Sequence, residues 1–289
     1  MNKSKKLQSL FSDKVSRVNR HNLMKHLEPD DIIRIHSASD EGTAIIQARP
    51  TSPNTCFQTL DFKVLLFLRL GIPIAAADVN CSHCATAQLS NRHLVNVCPH
   101  KNYKHRKHKS IMTEITNMCA AADILVAQEH FQCFNARTTR RMDLVFTIDN
   151  TECLVDVTTI DANNPSNAFL RGSGLAARKR WDKYSFLLKG PQQQLVPFVL
   201  ETQGRWGHCA RQLFKRIFSK IPIAANRVSR NFWAQRITLG HARCVAQNMV
   251  HRFHEMKRHV FDPLAPQQLY YFEPFFGQVL DPFEDSLPN

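Results

Sequence analysis

The sequence lacks the long apolar runs and repeats that would assign it to a membrane or solenoid class. No stretch approaches the roughly 18 uninterrupted apolar residues that a membrane helix needs. The polar start MNKSKKLQSLFSDKVSRV is unlike a secretory signal. No internal repeat and no signature of a polymerase active site is visible. These absences favour a soluble intracellular protein without a membrane partner and without polymerase chemistry of its own.

Charge and cysteine content indicate what kind of partner the protein binds and what state its cysteines have. The chain has 38 Lys and Arg against 24 Asp and Glu, which gives a net charge of +14 and a pI near 9.6. Such a balance suits a partner rich in phosphate, and nucleic acid is favoured over an acidic membrane surface. Nine cysteines, two of them in a C-x-x-C pair, occur in a long chain without a secretory signal. We therefore expect metal ligation and buried thiols rather than disulfides.

Pattern changes along the chain predict five regions. Residues 1–77 form a helical N-terminal segment that acts as a linker region, with an irregular stretch from Leu23 to Pro50 and a helix stopped by Gly71 and Pro73. A Cys/His-rich segment follows at 78–100, and an α/β core at 101–220. Residues 221–260 are expected to form one or two basic helices. The tail 261–289 has no Lys or Arg and is expected to be acidic and loosely ordered.

Within 101–220 the spacing of apolar residues alternates between a pattern typical of helices and one typical of strands. A helical face at 111–122 precedes short β-branched runs at 124–131, 142–148 and 153–160, with a turn signal at Asp149-Asn150. A helix at about 168–188, a strand at 194–202 and a helix at about 206–218 complete the series. The order helix, three strands, helix, strand, helix predicts an α/β fold.

The Cys/His segment has the composition of a structural zinc site. Cys81, Cys84, His93 and Cys98 supply three thiolates and one imidazole, which is a complete tetrahedral set for Zn²⁺. His83 and His100 lie in the same stretch and could replace His93 as the fourth ligand. Buried free cysteines beside a surface histidine are the alternative interpretation.

Two aspartates occupy the middle of adjacent predicted strands. Asp143 and Asp156 each have apolar neighbours, and half-buried acids on strands need a compensating partner. A divalent cation shared by both carboxylates is one such partner, and it could activate water for attack on a phosphodiester. Ion pairs with Arg140 or Arg141 are the alternative.

In their order, these motifs resemble those of the restriction-enzyme-like endonucleases of non-LTR retrotransposons, a branch of the PD-(D/E)XK nucleases. The matching series runs Cys81, Cys84, His93, Cys98, then Arg106-Lys107-His108, Arg140-Arg141-Met142-Asp143, Asp156-Val157-Thr158, Lys179, Lys183-Tyr184 and Glu201-Thr202-Gln203-Gly204. The segment FLRLGIP at 67–73 resembles the Arg-Leu-Gly stretch that precedes the knuckle in such polyproteins. The resemblance covers about 40–219.

The resemblance implies a fold and a set of site residues. It implies a PD-(D/E)XK core of helix, three strands, helix and strand, with an N-terminal zinc knuckle and extra helices. Catalytic Mg²⁺ or Mn²⁺ would be held by Asp143, Asp156 and the backbone of Val157, beside structural Zn²⁺. The proline of the family motif is absent, and Thr158 stands where the family has a lysine after the second acid. Lys179 or Lys183 is expected to take the role of that lysine. Glu114 and Glu129 are the two candidates for the auxiliary acid of the fold.

The resemblance also implies a function and its partners. The chain would nick DNA and leave a 3′-hydroxyl for target-primed reverse transcription by the polymerase domain of a related polyprotein, with element RNA as a further partner, in the nucleus. Phosphate contacts are expected from basic and aromatic residues on both sides of the core: Lys101, Lys104, Arg106, Lys107, Lys109, Arg140, Arg141, Arg178, Arg180 and Tyr184. The second hypothesis is a nuclease scaffold that has lost catalysis and only binds nucleic acid, and Thr158 is its best support. The third hypothesis is a protein-interaction module in which the Cys/His cluster has no metal-binding role.

Overall fold

The structure of the chain is a computed structural model. The structure describes residues 3–260 except 54, 74–79, 82, 85–89, 99–102, 132, 135–139, 164–171 and 223–229. The predicted tail 261–289 and the predicted DNA contact Lys101 lie outside the described residues, and so does the side chain of Lys104. Over the described part of the chain, no helix has both the length and the apolarity needed to cross a membrane.

The described residues form a mixed α/β structure. The helices are α1 (Lys3–Met24), α2 (Pro29–Ser37), α3 (Ala44–Gln47), α4 (Thr59–Leu70), α5 (Tyr103–Ala121), α6 (Gly172–Tyr184), α7 (His208–Phe218) and α8 (Arg230–Val260). The strands are β1 (Ala127–His130), β2 (Met142–Ile148), β3 (Thr151–Ile160) and β4 (Gln193–Glu201). Short 3-10 helices at Asp40–Thr43 and Ser185–Leu187 and a π-helix at His93–Val97 connect them.

The four strands form one mixed sheet in the order β1-β2-β3-β4. The first three strands are antiparallel, whereas β4 runs parallel to β3. Asp149 and Asn150 have φ values of 51° and 58°, which give the left-handed conformations of a type I′ turn between β2 and β3. Pro197 lies within β4, and a proline is tolerated there because β4 is an edge strand.

The main core lies where α5, α7 and the first part of α8 pack on one face of the sheet. Strand residues such as Leu144, Val155 and Phe198 meet helical residues such as Ile115 and Phe214 there. Alternating apolar residues on the strands and a helical period on α5 and α7 explain this packing. A smaller cluster on the side of α6 contains Val145, Leu154 and Tyr184, so the sheet is covered on both faces.

A second core joins the N-terminal helices, the Cys/His segment and α8. It contains Ile45 of α3, Leu65 of α4, Cys81, Leu94 and Val245 of α8. Because α8 contributes to both cores, the Cys/His segment is attached to the α/β unit through this helix.

Most of the predicted elements are confirmed, and the differences lie near the N-terminus. The strands agree within three residues at each end, and Gly71 ends α4 in a left-handed conformation with φ of 72°. The irregular stretch predicted for residues 23–50 is wrong, because it contains α2, a 3-10 helix and α3. Pro29 followed by two acidic residues begins α2, which is a helix start signal in the sequence.

Candidate metal centre and acid row

The four residues predicted to bind zinc lie together. The ligand atoms of Cys81, Cys84, His93 and Cys98 are all within 4.8 Å of one another. The Sγ atom of Cys98 is 3.9 Å from the Sγ atoms of both Cys81 and Cys84. This cluster can bind a metal ion such as zinc, because its donors are those of a closed tetrahedral site.

The surroundings of the cluster also fit a metal ion. The Nε2 atom of His93 is buried and has no hydrogen-bond partner among the described residues, which suits an imidazole that coordinates a metal. Burial together with the neighbouring Cys98 and Cys81 raises the pKa of the Cys84 thiol to about 11. A thiolate at Cys84 is therefore unfavourable beside the other two sulfur atoms, and a divalent cation would offset that cost.

Three polar side chains fix the cluster to the helices around it. Arg252 of α8 is buried, and its Nη2 atom donates to Cys81 Sγ at 2.9 Å and to Cys98 Sγ at 3.3 Å. Asn248 of α8 donates to the carbonyl of Leu94 at 3.3 Å. Lys107 of α5 donates to the carbonyl of Val95 at 2.6 Å and is only 2% exposed. The prediction that Lys107 contacts DNA is therefore wrong, because its ammonium is used inside the fold.

The sheet places three acids in one row. The antiparallel registers set Glu129 of β1 opposite Asp143 of β2, between the pairs Gln128 to Leu144 and His130 to Met142. Asp143 in turn lies opposite Asp156 of β3, one residue beyond the pair Leu144 to Val155. We call Glu129, Asp143 and Asp156 the acid row. Residues directly opposite on neighbouring strands have Cβ atoms about 5 Å apart, so the three carboxylates share one end of the sheet.

Each aspartate of the acid row is held by donors from the protein. Asp143 Oδ2 accepts from the backbone N–H of Val157 at 2.6 Å and lies 2.9 Å from His108 Nε2. Asp156 Oδ2 accepts from the Thr158 hydroxyl at 3.0 Å and lies 3.2 Å from Arg180 Nε. Thr158, which stands where the resembled family has lysine, thus contacts the acid beside it.

Burial sets the electrostatics of the pair. The Asp156 side chain is 8% exposed. Its pKa is raised, mainly by burial and further by the charge of Asp143, while Arg180 and Thr158 act in the opposite direction. The pKa of His108 is also raised: burial lowers it, but the hydrogen bond and charge of Asp143 outweigh burial. Because Asp156 is buried beside a second carboxylate, its charged form needs a compensating positive charge, which Arg180 supplies in this structure.

The two lysines expected to replace the missing motif lysine are not in contact with the aspartates. The Lys183 ammonium donates to the Tyr184 hydroxyl at 2.8 Å and lies 4.6 Å from the centre of that ring. Lys179 is exposed on α6. The cation that touches Asp156 is Arg180, which was predicted to bind phosphate. Tyr184 was also predicted to bind nucleic acid, but it is 5% exposed and packs in the smaller core, so that prediction is wrong.

The two candidate auxiliary acids have different surroundings. Glu114 of α5 pairs with Arg236 of α8 at 2.8 Å, away from the acid row. Glu129 pairs with Arg141 at 3.2 Å, and its φ of 50° is unusual for a strand residue. Its charge also helps to raise the pKa of His108. The geometry thus favours Glu129 over Glu114 as a third acid beside the aspartates.

The remaining predicted phosphate contacts lie on the surface. Arg106, Lys109, Arg140, Arg141 and Arg178 are exposed. Arg140 and Arg141 directly precede β2. Arg178 lies two residues before Arg180 on α6, so the two side chains do not share a helix face. Of these residues, Arg140 and Arg141 lie near the acid row, where Arg141 pairs with Glu129.

The contacts that His108 and Arg180 make with the two aspartates were not predicted from the sequence. For Arg180 a signal exists: Ala176 and Tyr184, one turn before and after it, are both buried, which puts Arg180 on the inward face of α6. For His108 the sequence offers only its place on the first helix of the core. Comparison with protein-family models and with curated protein sequences gives no match for this chain.

Proposed function

We propose that this chain is a metal-dependent DNA endonuclease that hydrolyses phosphodiester bonds and nicks a strand. The observation that carries the proposal is the acid row, in which Asp143 and Asp156 lie opposite each other on paired strands next to exposed basic residues. The order of α5, β1, β2, β3, α6 and β4 is compatible with the PD-(D/E)XK core that the sequence resembles. Retrotransposon origin, and a 3′-hydroxyl used to prime reverse transcription, are part of this proposal.

The acids would hold Mg²⁺ or Mn²⁺, with the carbonyl of Val157 as a further oxygen donor. Such an ion supplies a polarised water and neutralises charge on the reacting phosphate. Asp143 and Asp156 would fix its position, and the Val157 N–H orients the Asp143 carboxylate at 2.6 Å. Arg180 would turn from Asp156 toward a phosphate oxygen, the role for which the family uses lysine. Lys183 acts on Asp156 through its charge, since it lowers the pKa of that carboxyl group.

Zinc has a separate role in the proposal. Bound to Cys81, Cys84, His93 and Cys98, it would stabilise the second core and position α5, which begins just after the segment. The site has no open position for substrate, so it contributes folding free energy rather than catalysis.

A plasmid-nicking assay tests the proposal. With Mg²⁺ present, wild-type protein should convert supercoiled plasmid to the nicked form, and Asp156→Asn should reduce that rate on the order of 10³-fold or more. Asp149→Asn is a matched control, because Asp149 lies at the far end of the same hairpin and pairs with Lys220. Nicking that survives Asp156→Asn, or that needs no divalent cation, contradicts the proposal.

A nucleic-acid-binding module without cleavage is the second candidate. Two observations favour it. His108 and Arg180 already pair with the two aspartates, and Thr158 stands where the resembled family has lysine. In that case the protein binds DNA with an affinity that falls steeply with salt. Asp156→Asn then leaves binding unchanged, and no metal produces nicks.

A further inference from the structure

Two exposed phenylalanines flank the start of β2, and each has an arginine over its ring. Phe131 is 53% exposed and Phe186 is 69% exposed. The guanidinium carbon of Arg141 is 5.8 Å from the centre of the Phe131 ring, and that of Arg140 is 5.7 Å from the centre of the Phe186 ring. We call Arg141–Phe131 and Arg140–Phe186 the stacking pairs. Because phenylalanine is usually buried, two exposed rings beside arginines are candidates for contact with a ligand.

Both stacking pairs lie next to the acid row. Phe131 follows directly after β1, two residues beyond Glu129 of the acid row, and Arg141 also pairs with Glu129 at 3.2 Å. Arg140 and Arg141 immediately precede β2, which carries Asp143. Any ligand at these rings would therefore be a short distance from the candidate metal site.

One pair is also held in place by the helix that touches Asp156. Phe186 lies in the 3-10 turn after α6. The Arg140 Nη1 atom donates to the carbonyl of Lys183 at 2.9 Å, which fixes the guanidinium relative to α6. The exposed face of this pair is thus preorganised, and binding loses less conformational entropy there.

We propose that the stacking pairs bind unpaired nucleobases next to the bond that is cut, so that the substrate carries a single-stranded segment. This inference rests on the proposed function. A base stacks well on an aromatic ring, and arginine adds a cation–π contribution without reading sequence. In a continuous duplex the base faces are covered by their neighbours. A duplex that contains a gap or a flap offers both an unpaired strand and a phosphodiester.

Charge favours nucleic acid over a protein partner at this surface. Arg140 and Arg141 contribute positive charge there, on a chain of net charge +14. Phosphates on either side of an unpaired base would neutralise these cations. The surface would also tolerate many base sequences, since every base has a face to stack.

Fluorescence anisotropy with two probes tests the inference. The probes are a short oligothymidine and a blunt duplex of the same length, both measured without added divalent cation. Combining Phe131→Ala with Phe186→Ala should weaken oligothymidine binding about 10-fold or more but change duplex binding by less than about twofold. Replacing both rings with Trp should preserve oligothymidine binding. Leu125→Ala is the matched control, because Leu125 is 93% exposed and lies before β1, at the opposite end of that strand from Phe131.

The outcome is separable from that of the nicking assay. Equal losses for both probes, no loss for either, or a failure of the Trp variant to bind overturns the inference even if the protein nicks DNA. A selective loss of oligothymidine binding in a protein that does not nick supports the stacking pairs and contradicts only the proposed cleavage. If an acidic peptide, but not the oligothymidine, binds in a way that needs the two rings, the surface belongs to a protein partner and the inference is wrong.

Discussion

Replacing Arg252 is the sharpest test of how the Cys/His cluster is joined to α8. Its guanidinium is buried and donates to two thiols, at 2.9 Å and 3.3 Å. Three thiolates, a neutral imidazole and Zn²⁺ sum to one negative charge in a buried site, and Arg252 supplies the compensating positive charge. Arg252→Met keeps an unbranched apolar stem but removes the guanidinium, with its charge and its donors to both thiols.

Two effects set the expected magnitude. Hydrogen bonds to charged groups contribute about 1.5–3 kcal/mol each, and loss of a partner of metal ligands lowers affinity about 10- to 100-fold. Arg252 also bonds to the two sulfur atoms in the zinc-free protein. The zinc affinity therefore reports only how much stronger these hydrogen bonds become when zinc is bound. We therefore expect zinc to bind about 10- to 100-fold more weakly to Arg252→Met. Arg252→Lys should recover part of that loss, because an ammonium restores the charge but not the planar pair of donors.

Competition with a chromophoric zinc chelator measures this affinity directly. Cobalt substitution adds a second readout, because the thiolate-to-metal absorption should shift when the donor to sulfur is lost. Arg236→Met is a suitable control, since Arg236 lies on the same helix but pairs with Glu114 at 2.8 Å. Zinc affinity of Arg252→Met within about twofold of wild type would show that the guanidinium contributes only to packing.

Three further predictions concern the metal, the pH dependence and the backbone. Purified protein should contain about one Zn²⁺ per chain, and Cys84→Ser should abolish that content and lower the melting temperature; unchanged metal content by atomic absorption would reject the assignment. Burial lowers the pKa of His241 to about 3, below its unfolded value, so stability should fall as pH decreases from 6.5 toward 3. The loss at pH 5 should be about 2 kcal/mol, and urea unfolding of His241→Gln should show a flatter pH profile. Gly204 has φ of 100°, and an added Cβ would lie 3.0 Å from Gly42 Cα; Gly204→Ala should cost about 1–3 kcal/mol in chemical denaturation.

The sequence predicts the sheet well because strand and turn signals are local. Alternating apolar residues define β2 and β3, and Asp149-Asn150 provides the turn type that joins them. The shared position of Asp143 and Asp156 follows from that turn, since it fixes the register. The four residues of the Cys/His cluster are predicted for a similar reason, because their spacing is a property of a short segment.

The roles of the basic residues on α5 and α6 depend on tertiary packing and are harder to predict from the sequence. Lys107, Arg180 and Lys183 all look like surface charges on predicted helices. The rotation of α5 and α6 on the core decides that Lys107 is buried and that Arg180 reaches Asp156 while Lys183 bonds to Tyr184. A helix can rotate by one residue without changing its composition, so composition alone cannot choose among neighbouring basic residues.

The contribution of α8 to both cores has a consequence for folding during synthesis. It is the last described helix in chain order, and it supplies Trp233 and Ile237 to the main core and Val245 and Met249 to the second. Until the ribosome has synthesised α8, the apolar faces of α4 and α5 that pack against it stay uncovered. Neither core can close until α8 emerges, so a nascent chain that stalls before Arg230 exposes both unfinished surfaces to chaperones and to aggregation.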